Sequence, residues 1–372
     1  MRDDGSNLHA VLRPGEGPAN ASCGGWSPDG RYYFFWGQGQ GRGGNIWVMR
    51  DESGLFAGRS SQPMQLTTGP LGVNAWAISL DSKKLFVGAQ QGHAELVRYD
   101  PKSQQLVSFL AGISAGELDY SRDGQWVTYI LYPDQTLWRS RADGSDRLQL
   151  TFAPLSAALP RFSPDGSSQI AYIAQQPPGQ KWKIYLVPRD GGASQGVVDT
   201  PYDQSDPTWS SDGKTLAFGR LGEIEGGGIH LVDLTTRQVS DLPNSQKLFS
   251  GRWSPDGQYM AALTTDSTKL VLFSFKTQTW SDWVTESGVF GFPNWSADSQ
   301  FLYYDTTFTE TETFRRVKLG QNYSELLVDL KGLQRYSIPP AFEWSGIARD
   351  GSALFVRDLS TDEVYALDLD LP

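Results

Sequence analysis

The stretch WSPDG at residues 26–30 returns as FSPDG at 162–166 and WSPDG at 253–257, and its recurrence decides the fold. Looser copies fill the intervals: ISLDS (78–82), YSRDG (120–124), WSSDG (209–213), WSADS (295–299) and IARDG (347–351), the last with Ala348 in place of serine. The eight first positions are spaced 52, 42, 42, 47, 44, 42 and 52 residues apart. A period in the forties is the length of one blade of a β-propeller.

Each unit has the same grammar. After the Asp-Gly turn comes a short β-rich run, such as Trp126–Ile130 or Tyr259–Leu263. A loop follows, then an alternating run: NIWVM (45–49), ELVRY (95–99), TLWRS (136–140), KIYLV (183–187), GIHLV (228–232), KLVLF (269–273), FRRVK (314–318) and EVYAL (363–367). Many units add a second turn and a short strand, as in RLQLT (147–151). With the run that enters the motif this makes four antiparallel strands per unit, and no capped run of period 3.6 competes. The expected fold is all-β: one β-propeller domain over residues 1–372, with eight four-stranded blades and seven as the alternative count.

The motif chemistry is that of a turn. Asp29, Asp81, Asp123, Asp165, Asp212, Asp256, Asp298 and Asp350 each precede the residue that must reverse the chain, and an aspartate carboxylate bonds nearby backbone N–H groups. Pro28, Pro164 and Pro255 preset the first φ of that turn. The aromatic before serine reads as an apolar wedge packed against the next blade, so the core is annular.

Composition limits the function. Lys+Arg number 32 against 42 Asp+Glu, a formal charge of −10, which disfavours nucleic acid as a partner of this domain. Hydrophobic residues are 39% and aromatics 12%, enough for a core. Cys23 is the single cysteine, so no disulfide framework or cysteine metal site is available. No apolar run approaches the length of a membrane span, so no membrane insertion by this chain is expected. The opening DDGSNLHAVL (3–12) is similar to ADGSDRLQLT (142–151), a third-to-fourth strand turn with its fourth strand. Two readings follow: the N-terminal strand pairs with the last blade and closes the ring, or the chain is a fragment of a larger protein that continues upstream of Met1.

The WSPDG…IYLV…LT pattern resembles the TolB-type propeller repeat across essentially the whole chain. It is most similar to the C-terminal propeller regions of bacterial membrane-anchored regulators, where a winged-helix (CadC-like) or Ser/Thr kinase domain and one membrane span come first. The resemblance implies a non-catalytic module for ligand sensing or protein interaction, on the periplasmic or extracytoplasmic side of an inner membrane, with a cytoplasmic location as the alternative. It also leaves two other readings: the accessory propeller of a serine hydrolase or peptidase, and a free-standing TolB-like periplasmic scaffold.

Three motifs suggest other chemistry and each has a plainer reading. GISAG (112–116) spells a nucleophile elbow around Ser114, yet no helix follows and only His230 lies downstream. His9, His93 and His230 recommend a metal centre of the kind in oligogalacturonate lyases, a related propeller family. His230, however, aligns with the packing aromatics Trp47, Trp138, Tyr185 and Tyr365. Gly39, Gly41 and Gly44 spell a dinucleotide fingerprint inside GQGQGRGGN (37–45), which joins two strands and so lacks the helix the motif needs. No catalytic residue, metal ligand or cofactor is expected.

The ring geometry points elsewhere. The residue just before each motif aromatic recurs around the axis of a propeller, and these are Gly25, Ala77, Asp119, Arg161, Thr208, Arg252, Asn294 and Gly346. The expected binding mouth is therefore Asp119, Arg161, Thr208, Arg252 and Asn294, for a protein or a small polar or peptide ligand. Arg161 and Arg252 would hold a carboxylate or phosphate. The competing surface is a rim of long loops at 50–64 and 305–313.

Overall fold

The computed structural model describes residues 21–38, 44–50, 62–69, 71–176, 180–220, 227–286, 288–307, 311–338 and 342–371, with a few isolated positions besides. The described residues are all-β, interrupted by one short 3-10 turn at Leu110–Gly112 and by no α-helix. The segments 3–12, GQGQG (37–41) beyond Gln38, and most of the 50–64 loop lie outside the described residues. They divide into two compact units: Ala94–Leu359, and Met1–His93 with Ser360–Pro372.

The larger unit carries six of the eight repeats, in six antiparallel four-stranded sheets. Five are consecutive meanders whose inner strands are Ala115–Tyr120, Ser156–Phe162, Gln204–Trp209, Leu248–Trp253 and Val289–Trp295. The sixth begins with Ser345–Ile347 and Ala353–Asp358, then takes its outer strands, Ala94–Asp100 and Gln105–Ser108, from the start of the unit. Packing runs from sheet to sheet. Phe162, Ile170 and Tyr172 meet Val127, Tyr129 and Leu354 in one cluster joining the sixth, first and second sheets. Ile173 meets Trp209 and Phe218; Ala217 meets Met260 and Phe273; Leu263 meets Leu302 and Tyr304. Tyr303, Phe314 and Val328 then meet Val97 and Phe355, joining the fifth sheet to the sixth. Every sheet thus buries both faces against neighbours in a circuit, the annular core expected of the repeat.

The smaller unit holds a four-stranded sheet (Ser22–Trp26, Tyr32–Gln38, Gly44–Arg50, Met64–Gln65) and a three-stranded one (Gly72–Ile78, Lys84–Gln91, Thr361–Asp368). They share Phe34, Ile46, Val48, Val73, Leu85 and Val87.

Two pairings correct the expectation drawn from the repeat. ELVRY (95–99) does not pair with the second strand of its own repeat but with Leu354–Asp358 of the last one, in register Phe355↔Val97. EVYAL (363–367) pairs in turn with Lys84–Gln91 of the second repeat, in register Tyr365↔Val87. The third strands of the second and eighth repeats are exchanged. The sheet that begins with Ser345–Ile347 is completed by residues 94–108, and the expected N-terminal closing strand (3–12) falls almost wholly outside the described residues. Local sequence fixes which residues form strands, but strands of one repeat family are chemically equivalent partners, so the partner is chosen by packing.

The serine and aspartate of the motif act as a pair. In six repeats the serine hydroxyl donates to the aspartate at 2.5–2.6 Å, as Ser27 to Asp29 and Ser254 to Asp256. The same carboxylate oxygen accepts a backbone N–H two residues on, and the serine oxygen accepts the N–H that restarts the strand, as Tyr259 N to Ser254 at 2.9 Å. The serine bond, then the backbone bond, hold the Asp29, Asp81, Asp123, Asp212 and Asp298 carboxyls below the ordinary range. The fifth position sits at positive φ, +68° for Gly124 and +80° for Gly351, which explains the glycine. Ser82 and Ser299 occupy it at +57° and +58°.

Those two serines generate a contrast. Ser82→Gly relieves a left-handed non-glycine residue and is expected to raise stability by roughly 0.5–1 kcal/mol. The Ser299 hydroxyl, buried, accepts Asp256 N–H of the preceding repeat at 3.1 Å. Ser299→Gly leaves that amide unpartnered and is expected to lower stability by about 1 kcal/mol despite the same relief. Urea midpoints of the two variants distinguish the effects by sign.

Candidate functional site

The inner strands are not regular. In each of the five meanders of the larger unit one residue of the second strand faces two of the first, a β-bulge. The first bulged residue lies three before the motif aromatic and is left-handed: Glu117 (φ 57°), Leu159 (52°), Asp206 (51°), Ser250 (52°) and Phe292 (45°). In three strands the second bulged residue is proline (Pro160, Pro207, Pro293), tolerated because a bulge removes that N–H from the ladder. In two strands the side chains three and one before the aromatic, Glu117 with Asp119 and Asp206 with Thr208, both reach the neighbouring inner strand.

There they stitch sheet to sheet. Glu117 Oε2 accepts Leu159 N–H, and Asp119 Oδ2 accepts Phe162 N–H at 2.6 Å. Thr208 Oγ1 accepts Trp253 N–H at 3.1 Å. Asp206 Oδ1 accepts from Arg252 Nη2 at 2.6 Å. In the other direction the motif indoles reach back: Trp209 Nε1 donates to Arg161 O at 3.0 Å and Trp295 Nε1 to Arg252 O at 2.9 Å. The tryptophan wedge expected to pack on the following blade therefore also hydrogen-bonds the preceding one.

Of the five expected channel residues, Asp119, Arg161 and Arg252 share one electrostatic cluster, with Glu117 and Asp206 as further members. Thr208 serves the stitch just described, and Asn294 Nδ2 donates to Phe292 O of its own strand at 2.6 Å. Burial is the largest influence on Glu117, Asp119 and Arg161. It pushes Glu117, which is fully buried, up to about 7, against the lowering effect of Leu159 N–H, Arg161 and Tyr132. It raises the Asp119 carboxyl against the pull of Arg161, and lowers Arg161, which Arg252 lowers further. The Tyr132 phenol is held well above its ordinary value by burial and then by Glu117. Three buried polar atoms have no hydrogen-bond partner in the protein: Glu117 Oε1, Tyr132 Oη and Arg252 Nε. With Glu117 protonated, the cluster can offer a guest the Arg252 Nε–H donor and the Glu117–Tyr132 pair of hydroxyl groups.

Sequence reasoning missed Glu117 and Asp206 because it tracked only the position next to the aromatic. The signal was present in LPRFS (159–163), DPTWS (206–210) and FPNWS (292–296), where a proline inside a central strand marks a bulge.

The other candidates resolve locally. Ser114 accepts from Ala94 N at 3.2 Å and runs directly into the strand Ala115–Tyr120, where a nucleophile elbow would start a helix. His230 Nδ1 lies 2.6 Å from Asp241 Oδ1, Arg220 Nε donates to its Nε2 at 3.2 Å, and its ring packs on Tyr202 and Phe218. His93 N donates to Ser360 Oγ at 3.1 Å. Among the described residues no group of three or more His, Cys, Asp or Glu is placed to hold a metal, and no helix is long and apolar enough to cross a membrane. In the rim loop 305–313, Asp305 is fully buried and bonded to Arg335 at 2.7 Å, with Glu312 and Glu343 on the same guanidinium. The start of that loop is an internal anchor.

No protein-family model matches the chain. Over 210 residues it is 25% identical to the uncharacterized peptidase YuxL of Bacillus subtilis, a match over 54% of this chain and 30% of that protein. The chain spans less than half the length of the curated relatives it matches. Among solved structures it is similar to a putative TolB from Agrobacterium tumefaciens, with TM-score 0.57 at 15% identity over 72% of this chain and 99% of that one. It is also similar to TolB from Acinetobacter baumannii, with TM-score 0.51 at 16% identity over 79% and 80%. At these identities the likeness carries the fold alone, a TolB-like β-propeller.

Glu117 gives the site a measurable pH signature. The unfolded chain releases this proton near 4.5, whereas the folded protein holds it to about 7. The stabilisation from the protonated carboxyl is therefore complete below the unfolded value and lost as pH rises through the folded one, on the order of 3 kcal/mol in all. Relative to the native protein, Glu117→Gln is expected to gain stability between those two limits and to hold a constant advantage above them. Urea denaturation of both proteins across that range checks it.

Proposed function

We propose that the chain is a binding module without catalytic activity of its own, which takes a small polar ligand or the end of a peptide at the inner-strand cluster of the larger unit. The observation that carries the reading is the set of unpartnered buried atoms on Glu117, Tyr132 and Arg252, beside the half-buried Arg161. Concave sites with a few convergent polar groups are where ligands bind. In this reading Arg161 is the residue that meets an anionic group, because the Arg252 guanidinium is already shared with Asp206. The six-sheet circuit serves as the scaffold, and the module belongs to a bacterial regulatory or sensing protein, as its repeat resembles.

A second reading has one observation in its favour, the match to a protein named as a peptidase. There the chain would be an accessory propeller, and the covered residues would lack the catalytic groups.

Arg161→Gln tests the first reading. The Arg161 side chain donates only to Pro160 O among the bonds found, while its backbone carbonyl, which the substitution keeps, holds Trp209. The variant is expected to have a lower thermal midpoint, because Asp119 and Asp206 lose a compensating cation, and to lose the midpoint rise that anionic ligands give the native protein, a rise of RT ln(1 + [L]/Kd) in free energy. A ligand-induced rise that survives Arg161→Gln removes the cluster from the binding role. Turnover of ester or peptide substrates by this chain, abolished by Ser114→Ala, favours the hydrolase reading instead.

A further inference from the structure

The charges around Glu117 constrain what can enter the cluster. Four elements present titratable or charged groups to it. Tyr132 follows the second strand of the same sheet, Arg161 lies on the next inner strand, Asp206 on the one after, and Asp119 on the strand of Glu117 itself. Arg252, on the fourth inner strand, joins through Arg161, Asp119 and Asp206. Two guanidinium cations face the carboxylates of Asp119 and Asp206, so the cluster is neutral only while Glu117 keeps its proton.

Geometry places that proton at a defined atom. Glu117 Oε2 is occupied by Leu159 N–H, whereas Oε1 is buried against the Tyr132 hydroxyl, and neither of those two atoms has a partner beyond the other. The left-handed bulge fixes the residue on the backbone, so the carboxyl cannot swing out to water without breaking the bond to the second sheet. An anion arriving at the half-buried Arg161 with Glu117 ionised would bring two uncompensated negative charges together beside the fully buried Glu117, and unpaired buried charge costs several kcal/mol.

We propose that the cluster binds a carboxylate- or sulfate-like anion together with one proton, which Glu117 takes up. The inference rests on the reading of the cluster as the binding site. Binding and protonation are linked reciprocally: the anion raises the affinity of Glu117 for its proton, and the proton raises the affinity of the site for the anion. Affinity falls with rising pH once Glu117 ionises in the free protein.

The test is calorimetric titration of the full chain with N-acetylglycine, a stand-in for a peptide carboxyl end, and with sulfate, neither of which titrates near neutrality. Each is measured at about pH 6 and about pH 8, in two buffers of different ionisation enthalpy. The expected result is uptake approaching one proton at the higher pH and a dissociation constant that rises toward about tenfold per pH unit. Preference for one probe separates a peptide end from a tetrahedral oxyanion. Glu117→Gln, a permanently uncharged isostere, is expected to bind equally at both values with no proton uptake. An infrared difference spectrum of the native protein, in which a protonated-carboxyl band grows on adding the probe at the higher pH, gives the same answer without the variant. Native binding with equal affinity at both pH values, or a pH dependence that survives Glu117→Gln, overturns the inference while leaving the site in place. No binding of either probe at the lower pH overturns the inference and the binding-site reading together.

Discussion

One surplus residue in each of the five meandering inner strands, held at positive φ, is the constraint on which the rest of the larger unit depends. A regular strand would point residues three and one before the motif aromatic along a single face. The bulges at Glu117 and Asp206 bend their strands so that side chains at both positions reach the adjacent sheet. Non-glycine residues in this conformation cost about 1–2 kcal/mol each. The cost is offset because each bulge lets polar atoms close gaps between sheets that would otherwise need water.

The same stitching explains why charge is buried at all. A sheet-to-sheet seam of aliphatic residues would be at least as stable as Asp206–Arg252, since desolvation consumes most of what a buried ion pair gains. What the polar seam adds is direction: across the seam Asp119 accepts Phe162 N–H, and Trp209 Nε1 donates to Arg161 O. These bonds hold the inner strands at a fixed stagger, and the charged cluster follows from that stagger. Arg335 with Asp305 plays a comparable part away from the inner strands, where one guanidinium holds three carboxylates.

The exchange of third strands has a different origin. Residues 94–108 complete the last sheet of the larger unit, and residues 361–368 complete a sheet of the smaller one. Antiparallel pairing asks only for alternation and a free edge, and the two segments satisfy it equally. The apolar faces decide: Leu96 and Val97 are fully buried beside Phe355 and Val356, whereas Val364 is 78% exposed and Tyr365 37% exposed on their strand. The more apolar strand lies in the packed circuit.

The sequence alone determined the all-β class, the position of each turn and the role of its aspartate. These depend on contacts within six residues, where Ser254, Asp256 and Tyr259 find one another whatever the remainder of the chain does. It also placed Asp119, Arg161 and Arg252 together, because an eight-times repeated position must recur at equivalent places in a propeller. Only the tertiary structure decided that Glu117 and Asp206 join them, since a bulge shifts the facing side chain by one residue and periodicity cannot register that shift. It alone decided which strands exchange partners and how the repeats divide between two units. Those outcomes rest on contacts between segments more than 250 residues apart, such as Arg357 with Glu95, where equivalent repeats compete and burial selects among them.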